Sequence, residues 1–237
     1  MVKAKKDRTP PTRSTRKTDE DLTQKAHNAI RRMMLFNELA IGQKIHYMDI
    51  AEKLSISPTP VIQALKWLQF QGLVRHENNR GFYLEDVSIE EVEQLYEIRR
   101  SVELAFLDRA VVRPDDTGIA QLKASLDELL DSIRRELPML RIVKDMEFHV
   151  TLASLAGGRP ARLILQHIFD LLYFKYRTCM LMLRGDEEGH RRIFECVAAR
   201  DRDGAREVLD IHIAGVAHDV VRQLRAHMGE KESLNLT

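Results

Sequence analysis

Asp145 and His149 stand four residues apart in the run Asp145-Met-Glu-Phe-His149. On a helix that spacing places a carboxylate and an imidazole on one face, a turn apart. Phe148 and Leu152 make that neighbourhood apolar. Two further histidines fall on apolar faces. His190 heads a stretch that continues inward with Ile193, Phe194 and Val197, and His212 lies between Val208, Leu209 and Val216. A carboxylate that faces a core needs a partner, because an unpaired buried charge is very costly. Taken singly, each histidine reads as a hydrogen-bonded core residue. Taken together, one carboxylate and three imidazoles form a ligand set that zinc, nickel and other first-row divalent metals accept. His218 falls on another face than His212 and stays outside the set.

Two arginines suit recognition of a carboxylate. Arg177 stands among Leu172, Tyr173, Phe174 and Tyr176, where an inward guanidinium matches a carboxylate bidentately. Arg99 has Glu103 four residues on, and its simpler reading is an intrahelical ion pair.

Helices must carry these residues. Ser88-Ile-Glu-Glu91 reads as a capping box that opens a helix with Val92, Leu95, Val102, Ala105 and Phe106 inward. Pro114-Asp115-Asp116 ends it, and Ile119, Leu122, Leu126, Leu129 and Ile133 stripe the next. A third is expected over 138–156, a fourth from about 160 to 184 and a fifth over 187–200. The last follows Asp203-Gly204. No strand pattern appears after Leu84, so this region is predicted to be an all-α antiparallel helical bundle.

The segment before it reads differently. An amphipathic helix with Ala26, Ile30, Met33 and Met34 is expected from Asp21 to Phe36. Ile50, Ala51 and Leu54 then share one face of a short helix that Ser55 breaks. Ser57 is placed to cap the next helix with its hydroxyl, and Pro58 at its first position forfeits no hydrogen bond. Val61, Ala64, Leu65 and Leu68 give that helix its buried face, and Gly72 supplies the positive φ that ends it. Leu73-Val74 and Phe82-Tyr83-Leu84 flank the polar turn Asn78-Asn79-Arg80-Gly81 as a hairpin. Two short helices and a hairpin make a winged helix-turn-helix, whose second helix enters the DNA major groove. Ser57, Thr59, Gln63 and Lys66 on that helix, with Asn79, Arg80 and Gly81 in the wing, are the expected DNA-binding residues. Gln63 is the side chain best suited to reading adenine. Trp67 and Phe70 read as packing residues.

This stretch resembles the DNA-binding domain of GntR-type bacterial regulators. Their signature runs L-G-V-S-R-T-P-V-R-E-A-L, then L-x-x-x-G-L-V, then a wing ending N-R-G. The matching text is Leu54-Ser-Ile-Ser-Pro-Thr-Pro-Val-Ile-Gln-Ala-Leu65, Leu68 to Val74, and Asn79-Arg80-Gly81. Pro58 and Ile62 stand where the family has DNA-contacting arginines, so sequence readout is expected to differ. The helical region resembles the FCD effector domain of the FadR subgroup. It shares the D-x-x-F-H motif at 145–149, a histidine opening a later helix (His190) and another (His212) after the turn Asp201-Arg-Asp-Gly204. The resemblance covers about residues 22–225. It implies that Asp145, His149, His190 and His212 bind one divalent metal and that a small organic acid is received nearby. It also matches Arg99 and Glu103 to the family's R-x-x-x-E. Gly157-Gly158-Arg159-Pro160 replaces the family's usual Gly-Asn.

Composition agrees with these classes. The 237 residues are 44% hydrophobic and 31% charged, with a net charge of +1. The length allows two domains, and no run reaches the roughly 20 apolar residues of a membrane helix. Cys179 and Cys196 form neither a CxxC pair nor a disulfide framework, which suits a cytoplasmic protein. The basic charge is concentrated at the start, where residues 1–17 hold seven Lys/Arg and one Asp. The expected organisation is a disordered basic tail (1–20), a winged helix-turn-helix (21–85), a helical metal- and effector-binding domain (86–228) and a C-terminal tail (229–237). The tail reads either as a phosphate-tracking arm or as a solubilising leader.

The expected function is a homodimeric regulator that binds a double-stranded DNA operator under control of a small organic acid near a zinc or nickel ion. Two alternatives use the same cluster. A metal sensor would respond to the ion alone. A metalloenzyme would leave the helix-turn-helix unused, and no second carboxylate stands out as a general base.

Overall fold

The computed structural model describes residues 13–36, 38–112, 115–156 and 159–234. The chain divides after Asp86 into two compact units. The first holds α1 (Arg13–Leu35), β1 (Lys44–Ile45), α2 (Tyr47–Leu54), α3 (Pro58–Phe70), β2 (Val74–Glu77) and β3 (Gly81–Leu84). The second holds α4 (Ile89–Val112), α5 (Asp116–Arg134), α6 (Pro138–Leu155), α7 (Arg159–Leu181), α8 (Glu187–Ala198) and α9 (Arg202–Leu234).

The first unit is a winged helix-turn-helix. Ser55 adopts the left-handed conformation (φ 54°) and ends α2. Ser57 takes the cap position of α3 in an extended conformation, but its hydroxyl makes no capping hydrogen bond. Pro58 at the first turn therefore carries the start of α3. The end of α3 is a Schellman motif. Gly72 (φ 75°) donates to the Gln69 carbonyl at 3.0 Å, and Leu73 donates to the Leu68 carbonyl at 3.0 Å. That reversal sends the chain into β2, which pairs antiparallel with β3 from Val74↔Leu84 to Glu77↔Gly81. The two-residue β1 adds to the other edge of β3, giving the order β1-β3-β2. Ala26 and Ile30 of α1, Val61, Ala64, Leu65 and Leu68 of α3, and Ile45, Val74 and Phe82 of the sheet form the core. Trp67 is half-exposed and stacks on the His27 ring (centroids 4.2 Å apart), while Phe70 is 90% exposed and packs in no core.

Helix α1 starts eight residues before the expected Asp21, so part of the segment read as disordered is helical. Residues 1–12 of that segment lie outside the described residues. The cause is cooperativity: once a helix is nucleated, polar residues of fair propensity extend it without needing an apolar face. The same holds at the other end, where α9 runs on to Leu234 through part of the expected tail 229–237.

In the second unit α4 is the common partner, packing against α6, α7, α8 and α9. Its inner face differs from the expected one. Val92 and Leu95 are buried, but the mid-helix core positions are Arg99, Glu103, Leu107 and Ala110, while Ala105 is exposed. A charged pair occupies the core side of α4, so the apolar stripe is displaced around the helix. The first turn is also altered. Ser88 Oγ accepts the Glu91 N–H at 3.0 Å, half of a capping box. The Glu91 carboxylate turns away instead to the buried Lys175 on α7, 2.6 Å from each oxygen. The Tyr176 hydroxyl lies 3.1 Å from the Ser88 carbonyl and 3.0 Å from Glu91 Oε2.

Leu68 is fully buried at the junction of α3 with α1 and the sheet. Leu68→Ala is expected to destabilise the first unit by about 2–5 kcal/mol. Denaturant unfolding followed by Trp67 fluorescence should show an earlier transition.

Candidate metal centre and nucleic-acid interface

Helix α6 brings Asp145 and His149 inward, α8 brings His190 and α9 brings His212. One ligand atom from each of the four lies within 4.8 Å of all the others. The three imidazoles are buried, and their ring centroids are 5.4, 5.2 and 4.4 Å apart for the pairs 149–190, 149–212 and 190–212. Phe148 closes one side, edge-on to His190 at 5.2 Å.

Each imidazole is oriented from behind through Nδ1. His149 meets Glu103 Oε2 at 2.7 Å, His190 meets the Asp186 carbonyl at 2.5 Å, and His212 meets Asp186 Oδ2 at 2.9 Å. Carbonyl and carboxylate oxygens only accept, so Nδ1 carries the proton in all three. Nε2 of each ring is then a bare lone pair. All three Nε2 atoms are buried without a hydrogen-bond partner. Asp145 Oδ1 comes within 3.0 Å of His190 Nε2, where it pairs with the ring if that nitrogen is protonated and crowds its lone pair if it is not. Donor atoms that crowd one another without bonding are what co-ligands of a shared ion look like. An imidazole whose far nitrogen is held by an acceptor, as these are, is the usual form of a metal ligand. The donor set of three nitrogens and one carboxylate oxygen fits a first-row divalent metal.

Electrostatics favour the ligating form at His149, His212 and Asp145 and oppose it at His190. Burial lowers the pKa of His149, against the nearby Glu103 carboxylate. Burial likewise takes His212 down to about 4, although its bond to Asp186 resists this. Burial also acts to lower His190, but contact with Asp145 raises it overall. For Asp145 burial acts upward and is outweighed by contact with His190 and the charges of His149 and Arg99, so the carboxyl stays ionised. The Asp186 carboxyl is held near 2, first by its bond to His212.

Glu103 joins this centre to Arg99. Its Oε1 accepts from Arg99 Nε at 2.6 Å while Oε2 serves His149. The Arg99 guanidinium lies over the Phe169 ring, 4.7 Å from the centroid. Arg99 Nη2 and the Tyr96 hydroxyl are buried without hydrogen-bond partners. Burial pushes the Tyr96 hydroxyl up to about 12, so it keeps its proton. The ion pair read from sequence is thus present, but in the core and shared with a histidine. Arg177 is buried beside Tyr173 on α7. Arg99 and Arg141, rather than Arg177, are the arginines whose charge bears on Asp145. Sequence reasoning missed the orienting roles of Glu103 and Asp186. Glu103 carried one signal, its place four residues after Arg99, whereas Asp186 carried only its position just before the helix expected over 187–200.

In the first unit, Lys66, Asn79, Arg80 and Gly81 line an open groove of about 610 Å³ bounded by α3, the wing and the start of α2, where Asp49 also lines it. Lys44 and His46, which the sequence did not single out, line it too. Ser57 at the cap of α3, and Thr59 and Gln63 on the helix, are exposed outside that groove. Gln63 is engaged by α1, its Oε1 accepting from the Thr23 hydroxyl at 2.9 Å. That bond occupies one lone pair of the amide oxygen and leaves the amide nitrogen to face an outside partner.

A winged helix-turn-helix followed by a helical domain with a buried polar centre defines a two-domain transcriptional regulator. Residues 22–84 match the family of bacterial regulatory proteins described as the gntR family, and residues 94–215 match the FCD domain. The chain belongs to the GntR-family transcriptional regulators that carry an FCD domain. It is 26% identical to the Nta operon transcriptional regulator of Aminobacter aminovorans, over 80% of this chain and 90% of that protein. It is 23% identical to the uncharacterized HTH-type transcriptional regulator YdhC of Bacillus subtilis, over 78% of this chain and 85% of that protein. A GntR transcriptional regulator from Rhodococcus sp. RHA1 shares the fold with a TM-score of 0.72 at 21% identity, over 84% of this chain and 97% of that one. These relatives are regulators, and the metalloenzyme alternative falls with them.

Glu103 compensates a fully buried arginine. Glu103→Gln leaves that charge without its partner and is expected to cost about 3–5 kcal/mol of stability. Denaturant unfolding of the metal-free protein measures it.

Proposed function

We propose that this regulator acts as a cytoplasmic homodimer on a roughly palindromic operator, and that a small organic acid bound beside a divalent metal in the helical domain controls its grip on DNA. The observation that carries the reading is the convergence of three bare Nε2 atoms and the Asp145 carboxylate within 4.8 Å. Zinc or nickel would be held by Asp145, His149, His190 and His212 and would supply a Lewis-acidic position for an oxygen ligand. Around that position the chain offers further donors. Arg99 Nη2 and the Tyr96 hydroxyl, buried and unpartnered, suit a carboxylate oxygen. The two spare donors favour an organic effector over a sensor of the metal alone.

For DNA, the groove between α3 and the wing places Lys66, Arg80 and Lys44 where a phosphate backbone would run. Ser57, Thr59, Asn79 and Gly81 complete the expected contact surface, with Gln63 available through its amide nitrogen. Half-site spacing is a geometric requirement, so a small rotation of paired winged helices weakens operator binding. No helix among the described residues is long and apolar enough to cross a membrane.

Elemental analysis of protein purified without chelator or affinity-column metal tests the centre. His190→Ala and His212→Ala should each lower bound metal and abolish the thermal shift given by small carboxylates, while operator binding persists. Protein that refuses added zinc and nickel would end the reading. Lys66→Ala and Arg80→Ala should weaken all DNA sequences alike, each reducing the salt slope by about 1. A salt slope unchanged by both would remove the groove from the interface.

A further inference from the structure

A ligating histidine must present one nitrogen bare and correctly aimed, and the hydrogen bond at the other nitrogen sets both. At two of the three histidines a single residue makes that bond. Asp186 accepts the His212 Nδ1–H on its carboxylate and the His190 Nδ1–H on its backbone carbonyl. Its other carboxylate oxygen caps α8, accepting the Gly189 N–H at 2.9 Å. One residue thus starts the helix that carries His190 and braces a histidine from α9.

Gly189 makes room for this. A Cβ at that position would stand 2.1 Å from Asp186 Oδ2, the oxygen that holds His212. Any side chain there would push the carboxylate off His212. Glycine inside a helix is otherwise unfavourable. The same local geometry recurs at Asp201 and Gly204, where a Cβ would stand 2.2 Å from Asp201 Oδ2 and the Gly204 N–H is capped at 3.0 Å. Among the described residues no histidine hydrogen-bonds that second carboxylate. The pair at 201–204 is therefore a built-in control for capping alone.

We infer that Asp186 is a positioning residue of the ligand set, fixing the tautomer and aim of His212 through its carboxylate and of His190 through its carbonyl, and that Gly189 is required for it. The inference rests on the metal reading above and concerns what organises that centre.

The test uses the full chain with Asp186→Ser, Gly189→Ala and, as control, Gly204→Ala. Serine caps a helix about as well as aspartate but is too short to serve Gly189 and His212 together. Two readouts are taken. Long-range ¹H–¹⁵N NMR of the metal-free protein reports which ring nitrogen of each histidine carries its proton. Zinc titration against a chromophoric chelator reports affinity. In Asp186→Ser and Gly189→Ala, His212 should lose its Nδ1–H form while His190 keeps it, and zinc should bind about 10- to 100-fold more weakly. Gly204→Ala should change neither. An unaltered His212 tautomer in both variants, or a parent-like zinc affinity in both, overturns the inference. A parent that takes up no zinc, with the His212 tautomer still shifting in both variants, would defeat the metal reading and leave the orienting role of Asp186 standing.

Discussion

The helical domain is organised around one buried carboxylate. Glu103 sits inside the bundle with a guanidinium on one oxygen and an imidazole on the other. A charge at such a depth persists only if it is compensated and hydrogen-bonded. That requirement fixes the rest. It places Arg99 on the core side of α4, lays its guanidinium over Phe169 of α7 and sets the ring of His149 on α6. Three helices are therefore registered by one acidic side chain. Burial works to raise Glu103, yet His149 and Arg99 together bring it down to about 2, so the carboxylate stays ionised. The same contact leaves Nε2 of His149 facing the centre, so the element that stabilises the bundle also prepares the site.

The winged helix unit follows another logic. Its small core is aliphatic apart from Phe82, and His27 is the buried polar residue beside it. Rigid ends do the positioning: Pro58 begins α3 and the Schellman turn at Gly72 ends it, so β2 and the wing leave at a defined angle. The groove between α3 and the wing is a product of that geometry. Lys44 joins it only because the two-residue β1 pairs with β3 opposite Tyr83.

What the sequence revealed follows periodicity. Asp145 and His149, His190 and His212 could be read because helical spacing alone turns them inward with apolar neighbours. The buried face of α3 was legible for the same reason. The middle of α4 was not, because a charged side chain counts as outward in any hydrophobic pattern, and Arg99 and Glu103 point in. Strand β1 is too short to show a period. The part played by Asp186 was hidden for a different reason. It depends on a histidine 26 residues later in the chain, and no local spacing encodes such a contact. Gln63 faces α1 through Thr23, again a contact across elements.

The passage from strand β3 to helix α4 is tied down on each side by contacts within the unit it belongs to. Glu85 is tied back by its N–H to the Leu73 carbonyl, and Asp86 by an ion pair to Arg75 at 3.2 Å. Ser88 is secured on the other side by Tyr176 and by its own cap on Glu91. Val87 alone lies between two fastened residues. Each of these contacts is made within its own unit, so the sheet end and the start of α4 are both ordered locally.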